Sequence, residues 1–224
     1  MSGFISDNDE TSYRAEVDSL TNYCKDNNLL LNVTKTKEMI IDFRRNKTSK
    51  EPLYIDDEPV EIVNHFKLLG SYVSNDLKWH LNCSELVKKA RQRLFFLRKL
   101  KSFTSDTVTL MKFYRAIIES ILTSSIIVWF GNATQKDISK MISVIHSAQK
   151  IIGMSLPSLE SIYNDRLLSR TKSIVSDNSH PAHEYFELLP SGKRYRNFYG
   201  NKRYVNSTFP AAVKAFNINC THKL

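Results

Sequence analysis

The residues of this sequence best suited to chemistry are cations. Lys88, Lys89, Arg91, Arg93, Arg98, Lys99 and Lys101 crowd the stretch from Val87 to Lys101, and no acidic residue occurs between Glu85 and Asp106. Cations at that density attract phosphates, and each one that neutralises a phosphate releases condensed counterions. The plain alternative is a solvated charge run on a helix surface. A second group interleaves cations with aromatics: Lys193, Arg194, Tyr195, Arg196, Phe198, Tyr199, Lys202, Arg203 and Tyr204. Such rings stack on unpaired bases while the cations follow the backbone. Equally, they anchor a basic loop to a core.

Other chemistries find little support. His180 and His183 have a spacing that metal ligands use, but no third or fourth ligand follows at a recognisable distance, so no metal site is assigned. Asp56-Asp57-Glu58, flanked by short apolar runs and Pro59, reads as a hairpin tip rather than a cation site. The few glycines are isolated, which excludes a Gly-rich phosphate loop. No Ser, Cys or His falls in a nucleophile motif. No cofactor is expected.

Composition bounds the rest. The chain has 224 residues, 42% of them hydrophobic, and a formal net charge of +9. It is long enough for a real core, and its excess charge favours a polyanionic partner, nucleic acid before an acidic membrane. Cys24, Cys83 and Cys220 fit neither a zinc spacing nor a disulfide framework, so a reducing compartment is expected, cytoplasm or nucleus. The acidic start, MSGFISDNDE, is no secretion signal. The apolar window Ala116–Phe130 is interrupted by Glu119, Ser120 and Thr123-Ser124-Ser125; it falls short of the ~20 residues that span a bilayer and reads as a buried helix.

The elements that must position these groups follow from periodicity. Tyr13, Val17, Leu20 and Cys24 recur at helical spacing, and Asp26-Asn27-Asn28 stops that helix. Met39–Phe43 reads as a buried strand. Leu53–Ile55 and Val60–Val63 bracket a hairpin, and Phe66–Val73 reads as a last strand broken at Gly70. From Cys83 the period turns helical. Leu86, Ala90, Leu94 and Leu97 share one face, and Ser105 or Asp106 caps the next helix, about Val108–Phe130, closed by Gly131-Asn132. Thr134 caps a third, with Ile138, Met141, Ile142, Ile145, Ala148 and Ile152 at threes and fours until Gly153. Leu159–Leu168 and Phe209–Phe216 complete the helices. The expected class is α+β, mostly α: a small strand-and-hairpin piece over residues 1–78, a helical domain over 79–170, and a polar extension over 171–224 that carries the basic-aromatic segment.

The order of these blocks resembles the late part of the reverse transcriptase of LINE-type (non-LTR) retrotransposons. LLLNVTKTKEMIIDF is similar to that family's palm block after the catalytic loop, and FKLLGSYVSNDLKWHLN to its primer-grip strand and turn. KKARQRLFFLRKL, FYRAIIESILTSSIIVWFGN and AQKIIGMSLPSLESIY resemble its thumb and the helices beyond, and HPAHEYFELLPSGKRYR its C-terminal extension. The resemblance implies a thumb-like bundle after a palm remnant. It places Asn32, Lys35 and Thr36 near nucleotide phosphates and Leu68, Leu69 and Gly70 near a primer terminus. Lys88, Lys89, Arg91 and Arg93 would lie on a template–primer backbone. Two-metal nucleotidyl transfer needs carboxylates holding two ions about 3.5–4 Å apart. The family's Asp-Asp turn would fall just upstream of Gly3, and Asp7, Asp9 and Glu10 do not match it. The expectation is a truncated, non-catalytic product with residual affinity for RNA, DNA or their hybrid, no membrane partner, and an exposed sheet edge open to a protein partner.

A second resemblance is local. Val87–Phe103 is similar to the short helical segment at the N-terminus of the AlkB-homologue family, tRNA-modifying enzymes with dioxygenase and methyltransferase domains. Their chemistry does not come with it. A non-haem iron centre needs two His and a carboxylate, two of them from a His-x-Asp pair, and none of the six histidines here has Asp two residues later. A non-catalytic helical interaction domain with a merely solvated basic surface stands as the reading from a different class.

Overall fold

The computed structural model describes residues 3, 5–45 and 50–220; the basic, polar stretch Arg44–Pro52, which reads as a loop, lies partly outside them. The chain is α+β and mostly α, 56% helical, with strand pieces of two to four residues. It divides into two compact units, residues 1–68 with 73–77, and residues 69–72 with 78–224.

The first unit opens with α1, Thr11–Asp26. Asp9 accepts from the Thr11 N–H at its start, and Asn28, left-handed at φ 55°, follows its end. Its inner face is Val17 and Thr21, with Tyr13 half-buried, while Leu20 points outward. Strands β1 (Lys37–Glu38), β2 (Tyr54–Ile55), β3 (Glu58–Pro59) and β4 (Glu61–Ile62) follow. β2 and β3 form the expected hairpin, its tip Asp56-Asp57 with both φ positive, as the two-residue turn that matches strand twist requires. β1 pairs in parallel with β4. Val17, Leu53, Ile55 and Val60 make the core, with Leu31 and Val33 against it.

One strand expectation fails because a strand exists only where a partner pairs with it. Met39–Phe43 is irregular, with Ile41 and Phe43 exposed, because only Lys37 and Glu38 find a ladder partner. Leu29 and Leu30 are likewise exposed. Phe66–Val73, expected as a strand broken at Gly70, is broken there into a hairpin, β5 (His65–Leu68) and β6 (Ser71–Ser74), turned at Leu69 and Gly70 with φ 46° and 90°.

The second unit is a helical bundle. Its elements are α2 (His80–Phe103), α3 (Thr107–Phe113), α4 (Ser120–Leu122), α5 (Ile126–Trp129), α6 (Gln135–Ile152), α7 (Leu159–Val175), α8 (Lys202–Val205) and α9 (Thr208–Cys220). Caps fall where side-chain chemistry puts them. Asp106 accepts from Val108 and Thr109 N–H, Thr134 from Asp137, and Ser158 from Ser161, while Gly153 closes α6 at φ 85°.

The helix expected over Val108–Phe130 is interrupted twice. Tyr114–Glu119 widens into a π-turn, and Ser125 is left-handed at φ 49°. Ser120 Oγ donates to the Ala116 carbonyl and Thr123 Oγ1 to that of Glu119, the back-bonding by which Ser and Thr bend helices. The carbonyls freed at the break find other donors: Trp129 Nε1 on Ser124 at 2.7 Å and Arg166 on Thr123 at 2.7 Å. Helical segments over Thr107–Asn132 together have the length and mean hydropathy, 1.4, of a membrane-crossing helix, longer than the apolar window suggested. Leu110, Tyr114, Ile118, Leu122, Ile126 and Trp129 within it are buried in the bundle.

The segment after 170 belongs to this unit too. α7 runs through residue 171, burying Thr171 and Ile174, and α9 packs on it with Ala212 and Val213 inside. Gly131 lets the chain approach Asn206 so closely that a Cβ would stand 2.3 Å from its carbonyl oxygen.

Candidate nucleic-acid interface

α2 is amphipathic by arithmetic. At 3.6 residues per turn, Cys83, Leu86, Val87, Ala90, Leu94 and Leu97 fall on one side, and all are buried. That side packs chiefly on α6, whose inner residues are Met141, Val144, Ile145, Ala148 and Ile152. The N-terminus of the helix is pinned by polar contacts. His80 Nδ1 lies 2.8 Å from Oδ1 of the buried Asp137, which also accepts from Thr134 Oγ1, and Asn82 Oδ1 accepts from the Tyr72 N–H. With the inner face and the start fixed, the register of the outer face is fixed.

That outer face carries the cations. Lys88, Arg91, Arg93, Arg98 and Lys99 are exposed and Lys89 is half-buried. Lys88 stands 3.9 Å from Glu85, while Lys89, Arg91, Arg93, Arg98 and Lys99 have no carboxylate partner among the described residues. The nearest acid past the helix, Asp106, is engaged as the α3 cap, and its hydrogen bonds with Thr109 and Val108 hold its pKa below the ordinary value. Three phenylalanines that the sequence reading passed over stand among these cations: Phe95, Phe96 and Phe103 are 54%, 48% and 84% exposed. The rings of Phe95 and Phe96 meet edge to face at 5.5 Å, and the Arg93 guanidinium lies 5.7 Å from the Phe96 centroid. The signal was available, because positions 95, 96 and 103 fall opposite the apolar stripe.

The second basic group is arranged differently. Tyr195 is half-buried between Phe186 and Phe216, and its N–H and carbonyl are clamped by the Asn217 side chain at 2.8 and 2.9 Å. Phe198 and Tyr204 meet edge to face. These rings fasten the C-terminal segment rather than wait for bases, and Tyr199, 86% exposed, is the exception. Lys193 and Arg194 are exposed, and Arg196 forms a surface pair with Glu187 at 2.9 Å.

The residues assigned by resemblance to nucleotide and primer form local structure. Asn32 Oδ1 accepts from the Lys35 N–H and Thr36 Oγ1 donates to the Asn32 carbonyl, a closed turn with Lys35 exposed. Leu68, Leu69 and Gly70 are the exposed tip of the β5–β6 hairpin. His180 and His183 serve the loop after α7: His180 Nδ1 accepts from Ala182 N–H, and His183 Nδ1 meets the Ile174 carbonyl. Asp56 pairs with Lys25. No group of three metal-ligating side chains occurs among the described residues.

The unit is thus a helical domain with one cation-lined, partly aromatic helix face. Residues 79–120, α2 with the segment that follows it, match the family described as alkylated DNA repair protein alkB homolog 8, N-terminal. The match covers about a fifth of the chain, more than the Val87–Phe103 likeness read from the sequence. Neither a curated protein nor a solved structure matches the chain significantly. The resemblance to a LINE-type reverse transcriptase finds no support in these comparisons.

Proposed function

We propose that this chain is a non-catalytic nucleic-acid-binding domain whose contact surface is α2, a helix of the alkB homolog 8 N-terminal type. The observation that carries the reading is the pairing of a register-fixing buried face with an outer face on which Lys89, Arg91, Arg93, Arg98 and Lys99 have no carboxylate partner among the described residues. The likeness over 79–120, to a segment of a protein named for repair of alkylated DNA, accords with a nucleic-acid partner, as does the net charge of +9. Affinity is mainly electrostatic and tolerant of sequence, since the cations of α2 are offered to phosphates, which carry no sequence information. The setting is the cytoplasm or nucleus, where such partners are.

A second reading, the late palm and thumb of a LINE-type reverse transcriptase, is favoured by one observation. A short-stranded piece passes through a hairpin into a basic helix and then a bundle, in the order of that family's blocks. It specifies the ligand as an RNA–DNA template–primer.

Fluorescence anisotropy of the full chain with labelled RNA–DNA hybrid, duplex and single strands, across about 50–200 mM salt, tests both readings. Affinity falls with a log–log slope of about −0.9 for each phosphate engaged on a duplex. Reversal of Lys88, Arg91 and Arg93 to Glu lowers affinity at least about ten-fold and flattens the slope by about one unit per lost contact. A preference for the hybrid favours the second reading. A folded chain that ignores nucleic acid at low salt, or binds it regardless of these reversals, leaves a helical interaction domain as the better account.

A further inference from the structure

We infer that the α2 face recognises not a uniform duplex but a strand carrying unpaired bases, with Phe95, Phe96 and Phe103 as the stacking platform. This rests on the proposed nucleic-acid reading and specifies its partner. Three phenylalanines on the outward side of a helix, the last 84% exposed, stand outside the bundle's core, which takes the opposite side of α2. Their surroundings define what covers them. By helical spacing the exposed Lys99 is three or four residues from each of the three rings, Arg91 is four from Phe95 and Arg93 three from Phe96, so an occupant must bring flat apolar area and negative charge together. Arg93 already lies over the Phe96 ring, joining cation and ring in one platform. Phe96 and Phe103 are seven residues apart, about 10 Å along the axis, the rise of about three stacked nucleotides in one strand.

An acidic membrane offers charge and apolar depth as well, but the geometry disfavours it. A helix lying in an interface sinks a continuous apolar face and keeps its cations at the rim. Here the continuous apolar face of α2 is buried in protein, and the outward rings alternate with cations.

The test uses the full chain, a blunt RNA duplex, the same duplex with a single-stranded tail bearing a fluorescent adenine analogue, and phosphatidylserine vesicles. The wild type prefers the tailed ligand by about ten-fold, the scale of one stacked base, and perturbs the analogue's fluorescence. The triple variant Phe95→Ala, Phe96→Ala, Phe103→Ala keeps its circular dichroism and its salt-dependent binding to blunt duplex, and loses both the preference and the fluorescence change. Equal binding of blunt and tailed ligands by the wild type, or a preference surviving in the variant, overturns the inference while leaving the proposed function standing. Vesicle binding that the variant loses while its nucleic-acid binding is unchanged overturns it in favour of a membrane. Failure to bind any nucleic acid removes both readings.

Discussion

At the scale of the residue, one thiol reports on how well α2 is seated. Cys83 is 1% exposed, and burial, with buried Asp137 as a second cause, pushes its thiol up to about 12. The thiolate is the nucleophile, so a buried neutral thiol is inert. Cys83 therefore resists iodoacetamide at pH 8 in the native chain and reacts on denaturation, whereas Cys24, half-buried, is alkylated first. Peptide mapping after timed labelling checks this; rapid native alkylation of Cys83 would mean that α2 separates from α6. The pH sign follows from the same shift. In the unfolded chain the thiol ionises near about 8.5. Its folded pKa is raised, so its stabilising effect is whole below that pH. It declines as pH climbs toward 12, by at most about 1.4 kcal/mol per pH unit.

At the scale of the element, α2 has two faces with opposite mutational signatures. Leu94→Ala on the buried face costs about 2–5 kcal/mol, because the transfer energy and the cavity both count. Phe103→Ala on the outer face changes stability by no more than about 0.5 kcal/mol. Asp106→Ala removes three hydrogen bonds at the start of α3, two from backbone N–H groups and one from the Thr109 hydroxyl, and costs about 1 kcal/mol. Chemical denaturation of the three variants checks the ordering, and a large loss for Phe103→Ala would place that ring in the core. The helices were legible for the reason that makes this prediction possible: a 3.6 period and a capping side chain are local, and Leu86, Ala90, Leu94 and Leu97 declared their face without a partner in view. The β2–β3 hairpin was legible too, from its turn residues, but the extent of the other strands was not, because pairing is non-local. Nothing in Met39–Phe43 says that its neighbours stop at Glu38. The breaks in the apolar helix lay between. Thr123-Ser124-Ser125 was visible as a polar interruption, but the left-handed Ser125 and the π-turn depend on where Trp129 and Arg166 find carbonyls. Of the candidate site, the cations were legible and the three phenylalanines were overlooked, while Tyr195, read equally as a stacking ring or an anchor, is an anchor clamped by Asn217.

At the scale of the whole molecule, the two units differ in what holds them. Among the described residues the first rests on four buried apolar side chains, Val17, Leu53, Ile55 and Val60, and its strands are two residues long where they pair β1 with β4 and β2 with β3. Leu29, Leu30, Ile41 and Phe43 add nothing to it, being exposed. The second draws its core from α2 through α9, with side chains as large as Trp129, Tyr114 and Met141 fully buried. Local opening free energies scale with buried apolar contact and with backbone hydrogen bonds shielded from water, and on both counts the first unit lies at the low end. Hydrogen exchange followed by mass spectrometry should therefore separate them. Amides of α1 and of residues 29–45 exchange early, while the central turns of α2, α6 and α7 exchange at least about a hundred-fold more slowly, a gap of about 2.7 kcal/mol in opening free energy at 1.36 kcal/mol per factor of ten. α9 follows the slow class although it ends the described chain, because Ala212 and Val213 are buried and Asn217 fastens the strand of chain at Tyr195. Equal protection of both units would mean that the first is held by contacts its own small core does not supply. Fast exchange of α2 would remove the fixed register on which a cation-lined binding face depends.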